Sequence, residues 1–283
     1  MAHPQEKNIL NYIVWGLTAA LYSPIIYQLY KGRWDLVDYT HAYFILPISL
    51  WLVWRSRDTL RHCEGAKCPK QSHWINRMGL ALFLIGLLMF IFGWRQDYLF
   101  ISTLSLIPAL FGLVIYLYGP SIAKALSFPI LYLLLMVPPP LGILDNITLP
   151  MRYWISVFTA HILKMFHYPI TQSGLMLSLG GHEIYMGAPC SGFRSLITMI
   201  SLGLVYVYII KGKAVKKAIL LGSIVPLALL GNLLRVIGMC LVTFHFGENI
   251  GTKFHDISGF VIFFVLIVGL VGMDSLLSRL EHE

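Results

Sequence analysis

A cysteine lies at the start of an apolar segment in the stretch "GAPCSGFRSL", where its thiol could act as a nucleophile. Cys190 is followed by Ser191 and Gly192 and, four positions along, by Arg194. A thiol becomes a useful nucleophile when cationic neighbours or a base favour the thiolate. Gly192 could let a substrate backbone approach closely, and the N–H groups that start the next helix could stabilise negative charge.

Polar side chains also lie in two later apolar segments. Asn232 and Arg235 occur in "GNLLRVIG", and His255 and Asp256 occur in "FHDISGF". Polar groups inside membrane segments usually face a cavity or a partner. His255 could accept the thiol proton and return it to a leaving amine, Arg235 could hold a developing oxyanion, and Asp256 could orient the imidazole. With Cys190, this set permits acyl transfer.

Each of these residues also has a purely structural explanation. Arg194 could extend to lipid phosphates, His255 could cap its helix, and Cys240, in the middle of an apolar segment, is best explained as a small packed residue. Three other histidines are alternative bases: His161, His167 and His245.

A second pair of cysteines lies in the basic stretch "RHCEGAKCPK". Cys63, Cys68 and the adjacent His62 could bind zinc, but the spacing is wider than in a usual zinc knuckle and no second ligand pair follows. Four cysteines in the chain are too few and too dispersed for a disulfide scaffold. We therefore expect neither a metal nor a cofactor.

The composition indicates an integral membrane protein. The 283 residues are 57% hydrophobic and 12% charged, whereas soluble domains contain roughly a quarter charged residues. The formal net charge is +8, but the basic residues lie in short connections between apolar runs, where membrane orientation explains them. A nucleic-acid partner is therefore not expected.

The apolar runs predict an all-α polytopic fold with about eight transmembrane helices. We expect one membrane domain, 1–283, with N-terminal spans in 9–137, an interfacial helix and hairpin in 138–189, and a catalytic core in 190–277. The predicted spans are 9–30, 39–54, 78–94, 98–117, 123–137, 192–210, 218–244 and 255–276.

The distribution of lysine and arginine predicts the orientation. Connections 55–77 and 211–217 are basic and should be cytoplasmic, so with eight spans both termini are cytoplasmic as well. At about 1.5 Å per residue, Arg235 lies roughly 26 Å along a helix that starts near Ala218, in a core about 30 Å thick. Arg235 should thus reach the outer face, where the chain order also places Cys190 and His255.

The long outward connection before the sixth span has its own predicted structure. "PPP" should turn the chain, and 151–168 mixes large apolar residues with basic ones, which is typical of an interfacial helix. A ninth span there is the alternative, although it would invert one of the basic loops. "LMLSLGGHEIYM" predicts two short strands joined by Gly180 and Gly181.

Three motifs in this order resemble the exosortase and archaeosortase family of membrane cysteine transpeptidase-like proteases: "PCSGFRSL", "NLLRV" and "HDISGF". The resemblance is clearest from about Gly174, and the N-terminal half is similar in character only. By this resemblance, Cys190 matches the family's nucleophile, Arg235 its essential arginine and His255 its histidine.

The resemblance implies a function for the chain. Members of the family handle secreted proteins that end in a short motif, a transmembrane helix and a basic tail, of the Pro-Glu-Pro type (PEP-CTERM) in bacteria. We therefore expect cleavage of that tail at the periplasmic face of a bacterial inner membrane, with transfer to an acceptor as an option. The expected partners are the sorting signal, membrane lipid and this acceptor.

Two other functions remain open from the residues alone. Arg194 and Arg235 could bind an anionic solute in a transporter or polysaccharide-assembly channel. Alternatively, the thiol could serve a membrane acyltransferase that acts on lipid or glycan.

Overall fold

The computed structural model describes residues 4–34, 39, 41–57, 73–187, 192–210 and 212–280, with the side chains of His255 and Asp256 among those left undescribed inside the last helix. The chain divides into two compact units, Met1–Pro140 and Leu141–Glu283. Cys190 and Ser191 lie outside the described residues, and so does the stretch with Cys63 and Cys68. The expectation of a single domain stays a prediction.

The N-terminal unit consists of helices. In chain order they are α1 (Pro4–Gln28), which continues into a π-helical turn (Leu29–Arg33), α2 (Ala42–Arg55), α3 (His73–Arg95), α4 (Leu99–Leu104), α5 (Leu106–Tyr118), α6 (Pro120–Ala125), α7 (Ser127–Tyr132) and a 3₁₀ turn (Leu133–Met136).

Glycines hold α3 closely against α4 and α5. Gly79, Gly86 and Gly93 recur every seven residues on α3, and all three are buried. A Cβ added at Gly86 would lie 2.6 Å from the backbone nitrogen of Ala109 on α5. In a membrane, such small residues allow helix backbones to approach and gain van der Waals contact.

Helix α2 runs antiparallel to α7 and the 3₁₀ turn. His41, just before α2, lies with Nε2 3.1 Å from the carbonyl oxygen of Leu135. About two turns into α2, Ser49 donates a hydrogen bond to the carbonyl of Pro129 at 2.9 Å. These two contacts fix the register between the two segments.

The C-terminal unit combines four helices with a small antiparallel sheet. Its elements are α8 (Leu141–Met165), β1 (Ile170–Ser173), β2 (Met176–Leu179), β3 (His182–Tyr185), α9 (Phe193–Ile209), α10 (Ala214–Phe246) and α11 (Glu248–Leu280), and the strand order is β1-β2-β3.

The predicted hairpin is confirmed. Leu179 pairs with His182 across Gly180 and Gly181, whose φ values of 58° and 89° are the positive values that a type I′ turn requires. Strand β1 was not predicted; it pairs with β2 through a turn at Gly174, whose φ is also 58°. The hairpin is therefore part of a three-stranded sheet.

The helix predicted at 151–168 is longer at its start and shorter at its end, since α8 runs from Leu141 to Met165. Proline has no N–H to leave without a partner at the start of a helix, so α8 can begin directly after the prolines that precede Leu141. The helix also continues through Pro150. By length and composition, α8 is not among the candidate membrane spans.

The helices confirm a polytopic membrane protein. Among the residues that the structure describes, five helices are long and apolar enough to cross a membrane: Ile9–Gly32, His73–Arg95, Leu99–Tyr118, Ala214–Phe246 and Glu248–Arg279. Three shorter ones are also apolar: Ala42–Arg55, Ser127–Met136 and Phe193–Ile209. They coincide in position with the eight predicted spans, and the number of spans that cross the membrane stays a prediction.

Helices α10 and α11 are longer than expected. Each has 33 residues and thus rises about 50 Å, more than the hydrocarbon core of about 30 Å. One residue, Gly247 with a φ of 84°, joins them. His255 therefore does not open its helix, as expected from the sequence, but lies in the second turn of α11. Arg235 lies about 18 Å before the turn at Gly247.

Two apolar clusters form the core of the C-terminal unit. The sheet-side cluster lies between α8, the sheet and the last third of α10; its buried members are Ile155, Ala160, Leu163, Ile170, Leu177, Leu179, Met186, Val236, Met239 and Cys240. The bundle cluster joins α9, the first half of α10 and the last half of α11; its buried members are Met199, Val207, Leu220, Ile224, Ala228, Leu266 and Leu270.

An ion pair and its hydrogen bonds link α9, α10 and α11 beside the bundle cluster. Lys216 on α10 lies 2.6 Å from Oδ1 of Asp274 on α11, and it also donates to Ser278 at 2.7 Å. Tyr206 on α9 donates to the other carboxylate oxygen at 2.8 Å. Because only 6% of the Lys216 side chain is exposed, this network satisfies a buried charge.

Candidate functional site

Gly192 lies immediately before α9 and contacts α10. Its φ of 74° and ψ of 0° are left-handed, and its carbonyl accepts hydrogen bonds from the N–H of Leu196 at 2.8 Å and from Oγ of Ser195 at 2.9 Å. A Cβ at Gly192 would lie 2.5 Å from Cγ and 2.6 Å from Nδ2 of Asn232. The start of α9 is therefore held against Asn232.

Asn232 occupies the space where a side chain of residue 192 would lie. The expectation that Gly192 lets a substrate backbone approach stays a prediction. Asn232 itself is only 1% exposed. Its amide thus belongs to the interior, where it connects the segment after Cys190 to α10.

A second close contact connects α10 to the first turns of α11. A Cβ at Gly238 would lie 3.0 Å from Cζ of Phe254, the residue before His255. The same two helices also meet nearer the turn, where Gly251 contacts Thr243. The helical segment that contains His255 therefore lies beside Gly238 of α10.

Arg235 lies between these two contacts. It is three residues after Asn232 and three before Gly238. Successive side chains on an α-helix differ in direction by about 100°, so side chains three positions apart point only about 60° away from each other. Arg235 therefore lies on the same side of α10 as Asn232, which contacts Gly192, and Gly238, which contacts Phe254. Its side chain is half-buried.

The polar residues of α10 form a layer between the two apolar clusters. Ala228 belongs to the bundle cluster and Val236 to the sheet-side cluster, and Asn232 and Arg235 lie at the boundary. Ser258 on α11 is also buried at this level, with 3% exposure. Charges and dipoles in such an apolar setting act more strongly than in water.

The structure brings only part of the predicted site into view. Gly192 contacts Asn232, and Arg235 lies three residues after Asn232 on α10. His255 and Asp256 lie on α11, with side chains outside the described residues. Arg194 lies in the first turn of α9 and is exposed, which fits either of its predicted roles. The proposed functions of these residues stay predictions.

The alternative histidines lie farther away or on exposed surface. His245 is exposed in the last turn of α10, where its Nε2 is 3.5 Å from the hydroxyl of Tyr168. Ten residues separate it from Arg235, which is about 15 Å along the helix. His161 on α8 and His167 after it are also exposed.

Two other residues differ in how well the sequence explained them. Cys240 is fully buried in the sheet-side cluster, which confirms that it is a packed residue. Arg152 on α8, one of the basic residues of the predicted interfacial helix 151–168, is only 8% exposed. Its Nε and Nη2 lie 3.4 Å and 3.2 Å from the carbonyl and the hydroxyl of Thr148. The spacing of four residues between them was the only signal in the sequence.

Within the residues that the structure describes, no group of three or more histidine, cysteine, aspartate or glutamate side chains could hold a metal ion. The arrangement offers an amide at Asn232, a guanidinium at Arg235 and the N-terminal end of α9. These fit the binding of a negatively charged or strongly polarised oxygen beside the segment that follows Cys190.

Comparison with known proteins identifies the family of the chain. The family model of the transmembrane exosortase (EpsH) matches residues 34–272, so the similarity includes the N-terminal helices as well as the three motifs. Neither a curated protein nor a solved structure matches the chain. A match over most of the chain shows the family, and the chain belongs to the transmembrane exosortases.

Proposed function

We propose that this exosortase is a membrane cysteine peptidase or transpeptidase that cleaves a C-terminal sorting signal through a thioester on Cys190. The observation that supports this most directly is the contact between Gly192 and Asn232. Two residues span at most about 7 Å, so Cys190 is tethered close to the face of α10 that contains Arg235. A nucleophile and an oxyanion-binding group must lie close together, because both act on the same carbonyl group.

Arg235 is the proposed electrostatic partner of the reaction. A guanidinium stays charged at any physiological pH, and its planar donors can hold an oxyanion or a carbonyl in a fixed direction. Its half-buried position between two apolar clusters limits competition from water. Asn232 is a positioning residue, since it holds the start of α9.

His255 is the proposed base. It follows Phe254, which contacts Gly238 only one turn of α10 beyond Arg235. His245, in contrast, lies about 15 Å along the helix from Arg235. Asp256 and Arg194 are proposed as supporting groups, and Ser191 and the N–H groups at the start of α9 as donors to the developing negative charge.

The proposed reaction has two steps. His255 removes the proton of Cys190, the thiolate attacks the scissile carbonyl, and the C–N bond breaks as His255 returns the proton to the leaving amine. Water or an acceptor amine then attacks the thioester, and the sulfur leaves and regains a proton. The two steps balance in atoms and protons with no reactant other than the chain, the tail substrate and the water or acceptor amine.

The proposed substrate is the tail of a secreted protein, with a short Pro-Glu-Pro type motif, a transmembrane helix and basic residues. We place the reaction at the periplasmic face of a bacterial inner membrane, with both termini of the enzyme in the cytoplasm. The basic connections 55–77 and 211–217 support this orientation.

The test uses the full chain, reconstituted into vesicles with a soluble domain fused to such a tail. Hydroxylamine is added, because it converts a thioester into a stable hydroxamate at the cleavage point. Mass spectrometry should find the shortened domain as its hydroxamate with the native chain and with Cys240→Ala, the matched control at a buried thiol. Cys190→Ala and Cys190→Ser should give neither cleavage nor hydroxamate.

Three results would contradict the proposal. Normal processing by Cys190→Ala would exclude the thioester. A trapped adduct without peptide would indicate an acyltransferase. Loss of solute transport on Arg235→Ala, with Cys190→Ala silent in the same assay, would indicate a transporter.

A further inference from the structure

Arg152 on α8 is a buried cation that the proposed reaction does not use. The residue is only 8% exposed, although arginine is almost never buried unless it is paired. Among the described residues, its polar contacts are both with Thr148, one helical turn before it. Nε lies 3.4 Å from the carbonyl oxygen of Thr148, and Nη2 lies 3.2 Å from its hydroxyl. Both distances are longer than the usual N–H···O distance of about 3 Å.

These two contacts occupy one edge of the guanidinium. The group has five N–H donors in a planar fork, and Thr148 receives one from Nε and one from Nη2. The other edge, with Nη1 and the second N–H of Nη2, has no acceptor among the described residues. Both acceptors of Thr148 are neutral, so they do not compensate the positive charge. A buried cation in this state is favourable only when an anion joins it.

The carboxylates that the structure describes in the C-terminal unit do not supply this anion. Asp274 is paired with a lysine on α10, and Glu248 lies 3.7 Å from a histidine on β3. Asp145 and Glu183 are exposed to solvent. None of the four forms an ion pair with Arg152. The anion therefore has to come from elsewhere.

Arg152 lies at the level of the proposed site along α8 and α10. Both helices end at a common contact, where the ring of Tyr168, just after α8, lies 5.6 Å from that of Phe244. Arg152 precedes Met165, the last residue of α8, by thirteen residues or about 20 Å. Asn232 precedes Phe244 by twelve residues or about 18 Å. Both helices contribute to the sheet-side cluster along this length, so the two residues lie at similar distances from the common end.

The sheet gives the same level independently. At one of its ends, Gly180 contacts Phe244 on α10. At the opposite end, Ser156 on α8 donates a hydrogen bond to the carbonyl of Gly174 at 3.2 Å. The strand β2 between these ends rises about 10 Å, and Arg152 lies one further helical turn, about 6 Å, beyond Ser156. Arg152 is thus about 16 Å or more from the level of Phe244, in agreement with the distance along the helices.

The chain that leads to Cys190 leaves the sheet at this same end. The N–H of Met186 donates to the carbonyl of Leu175 at 2.8 Å, beside the turn at Gly174. Cys190 follows Met186 by four residues, which span at most about 14 Å. The proposed nucleophile is therefore tethered to the end of the sheet beyond which Arg152 lies.

We propose that Arg152 binds the carboxylate of the acidic residue in the sorting motif and so selects the substrate. This inference rests on the proposed function, in which the motif of Pro-Glu-Pro type carries one glutamate beside the cleavage point. The remaining edge of the guanidinium can hold both oxygens of a carboxylate through two parallel hydrogen bonds. Arg235, at nearly the same level, is left to act on the scissile carbonyl.

The test compares two tails that differ in one group, Pro-Glu-Pro and Pro-Gln-Pro, each fused to the same soluble domain. The full chain is reconstituted into vesicles, and kcat/KM is measured for both tails. The native chain should prefer the glutamate tail about a hundredfold or more, because a buried charge pair loses this much when one partner is made neutral. Arg152→Gln should cleave both tails equally slowly. Arg152→Lys should keep part of the preference, since it retains the charge but not the planar fork.

Lys164→Gln is the matched control, because it removes a cation from the same helix. Lys164 is exposed and lies about 18 Å along α8 from Arg152. The variant should retain the full preference for the glutamate tail. An equal loss of preference with Lys164→Gln and Arg152→Gln would indicate general attraction between a basic enzyme and an acidic tail, and it would overturn the proposal.

Thermal unfolding without substrate tests whether the charge of Arg152 is compensated inside the chain. If the substrate supplies the anion, Arg152→Gln should melt at the native temperature or above it, because it removes a buried charge that has no counter-charge. The side chain of Asp256 lies outside the described residues, so it is the internal alternative. A lower melting temperature with both Arg152→Gln and Asp256→Asn, and no further loss in the double variant, would assign the anion to Asp256 and overturn the proposal.

The cleavage assay also separates this proposal from the proposed function. A native chain that cleaves neither tail would contradict the proposed peptidase and, with it, the role of Arg152. Cleavage of both tails at the same rate by the native chain would overturn the role of Arg152 alone. A slower Arg152→Gln that keeps the full preference for the glutamate tail would do the same, because the arginine would then act on the scissile carbonyl.

Discussion

Replacement of Gly192 by alanine tests the contact on which the proposed site depends. The new Cβ would lie 2.5 Å from Cγ of Asn232, and Asn232 is 1% exposed, so neither side can move freely. A left-handed φ of 74° costs a non-glycine residue about 1–2 kcal/mol. Displacement of a buried amide costs about 1–3 kcal/mol more. We expect Gly192→Ala to lower the free energy of unfolding by about 2–5 kcal/mol.

The matched control is Gly174→Ala in the turn between β1 and β2. Gly174 also has a positive φ, of 58°, but nothing lies within 4 Å of a Cβ added there. It should therefore lose only the backbone contribution of about 1–2 kcal/mol. Thermal unfolding of both variants in detergent separates strain from steric contact, because about 1 kcal/mol corresponds to roughly 2–4 °C in a chain of this size class.

The same pair of variants tests the link to function. If Gly192 positions the thiol segment against Arg235, a displacement of about 1 Å can reduce turnover roughly a hundredfold. Cleavage of the tail substrate by folded Gly192→Ala should fall by that order, and cleavage by Gly174→Ala should not. Equal melting temperatures and equal turnover for the two variants would refute the reasoning.

Two further predictions concern the C-terminal unit. Asp274→Asn should lower the free energy of unfolding by about 3–5 kcal/mol because it leaves the buried ammonium of Lys216 uncompensated, and the double variant with Lys216→Met should recover most of that loss in a chemical denaturation series. His255→Ala should reduce cleavage of the tail substrate about a hundredfold or more, whereas His245→Ala should leave it nearly unchanged; loss with His245→Ala and not with His255→Ala would reassign the base.

The sequence predicted the features that local chemistry determines. Gly180 and Gly181 require positive φ and define a two-residue turn by themselves, so the hairpin was visible without knowledge of the fold. Strand β1 was not predicted, because its turn contains a single glycine, Gly174, and because the hairpin prediction had already paired β2 with β3. The apolar runs likewise predicted helices, since membrane spans need little beyond length and composition.

The features that were missed depend on the tertiary structure. The sequence gives no signal for the contact between Gly192 and Asn232, which are forty positions apart, and a glycine before a helix has many explanations. Helices α10 and α11 were both predicted to start too late and to end too early, because hydropathy reports the apolar core of a helix and not its more polar ends. The burial of Arg152 was not predicted, because the residues that surround it in space cannot be read from its neighbours in sequence.

The single-residue turn at Gly247 determines the order in which the proposed site can assemble. Because α10 and α11 follow each other directly, their contact can form as soon as both leave the ribosome and enter the membrane as one hairpin. That hairpin contains Arg235 and His255, which are only twenty positions apart. The thiol segment is synthesised earlier, and the contact between Gly192 and Asn232 can form only when α10 exists. A chain released before α11 would contain Arg235 but not His255, so the proposed nucleophile would lack its proposed base until α11 is synthesised.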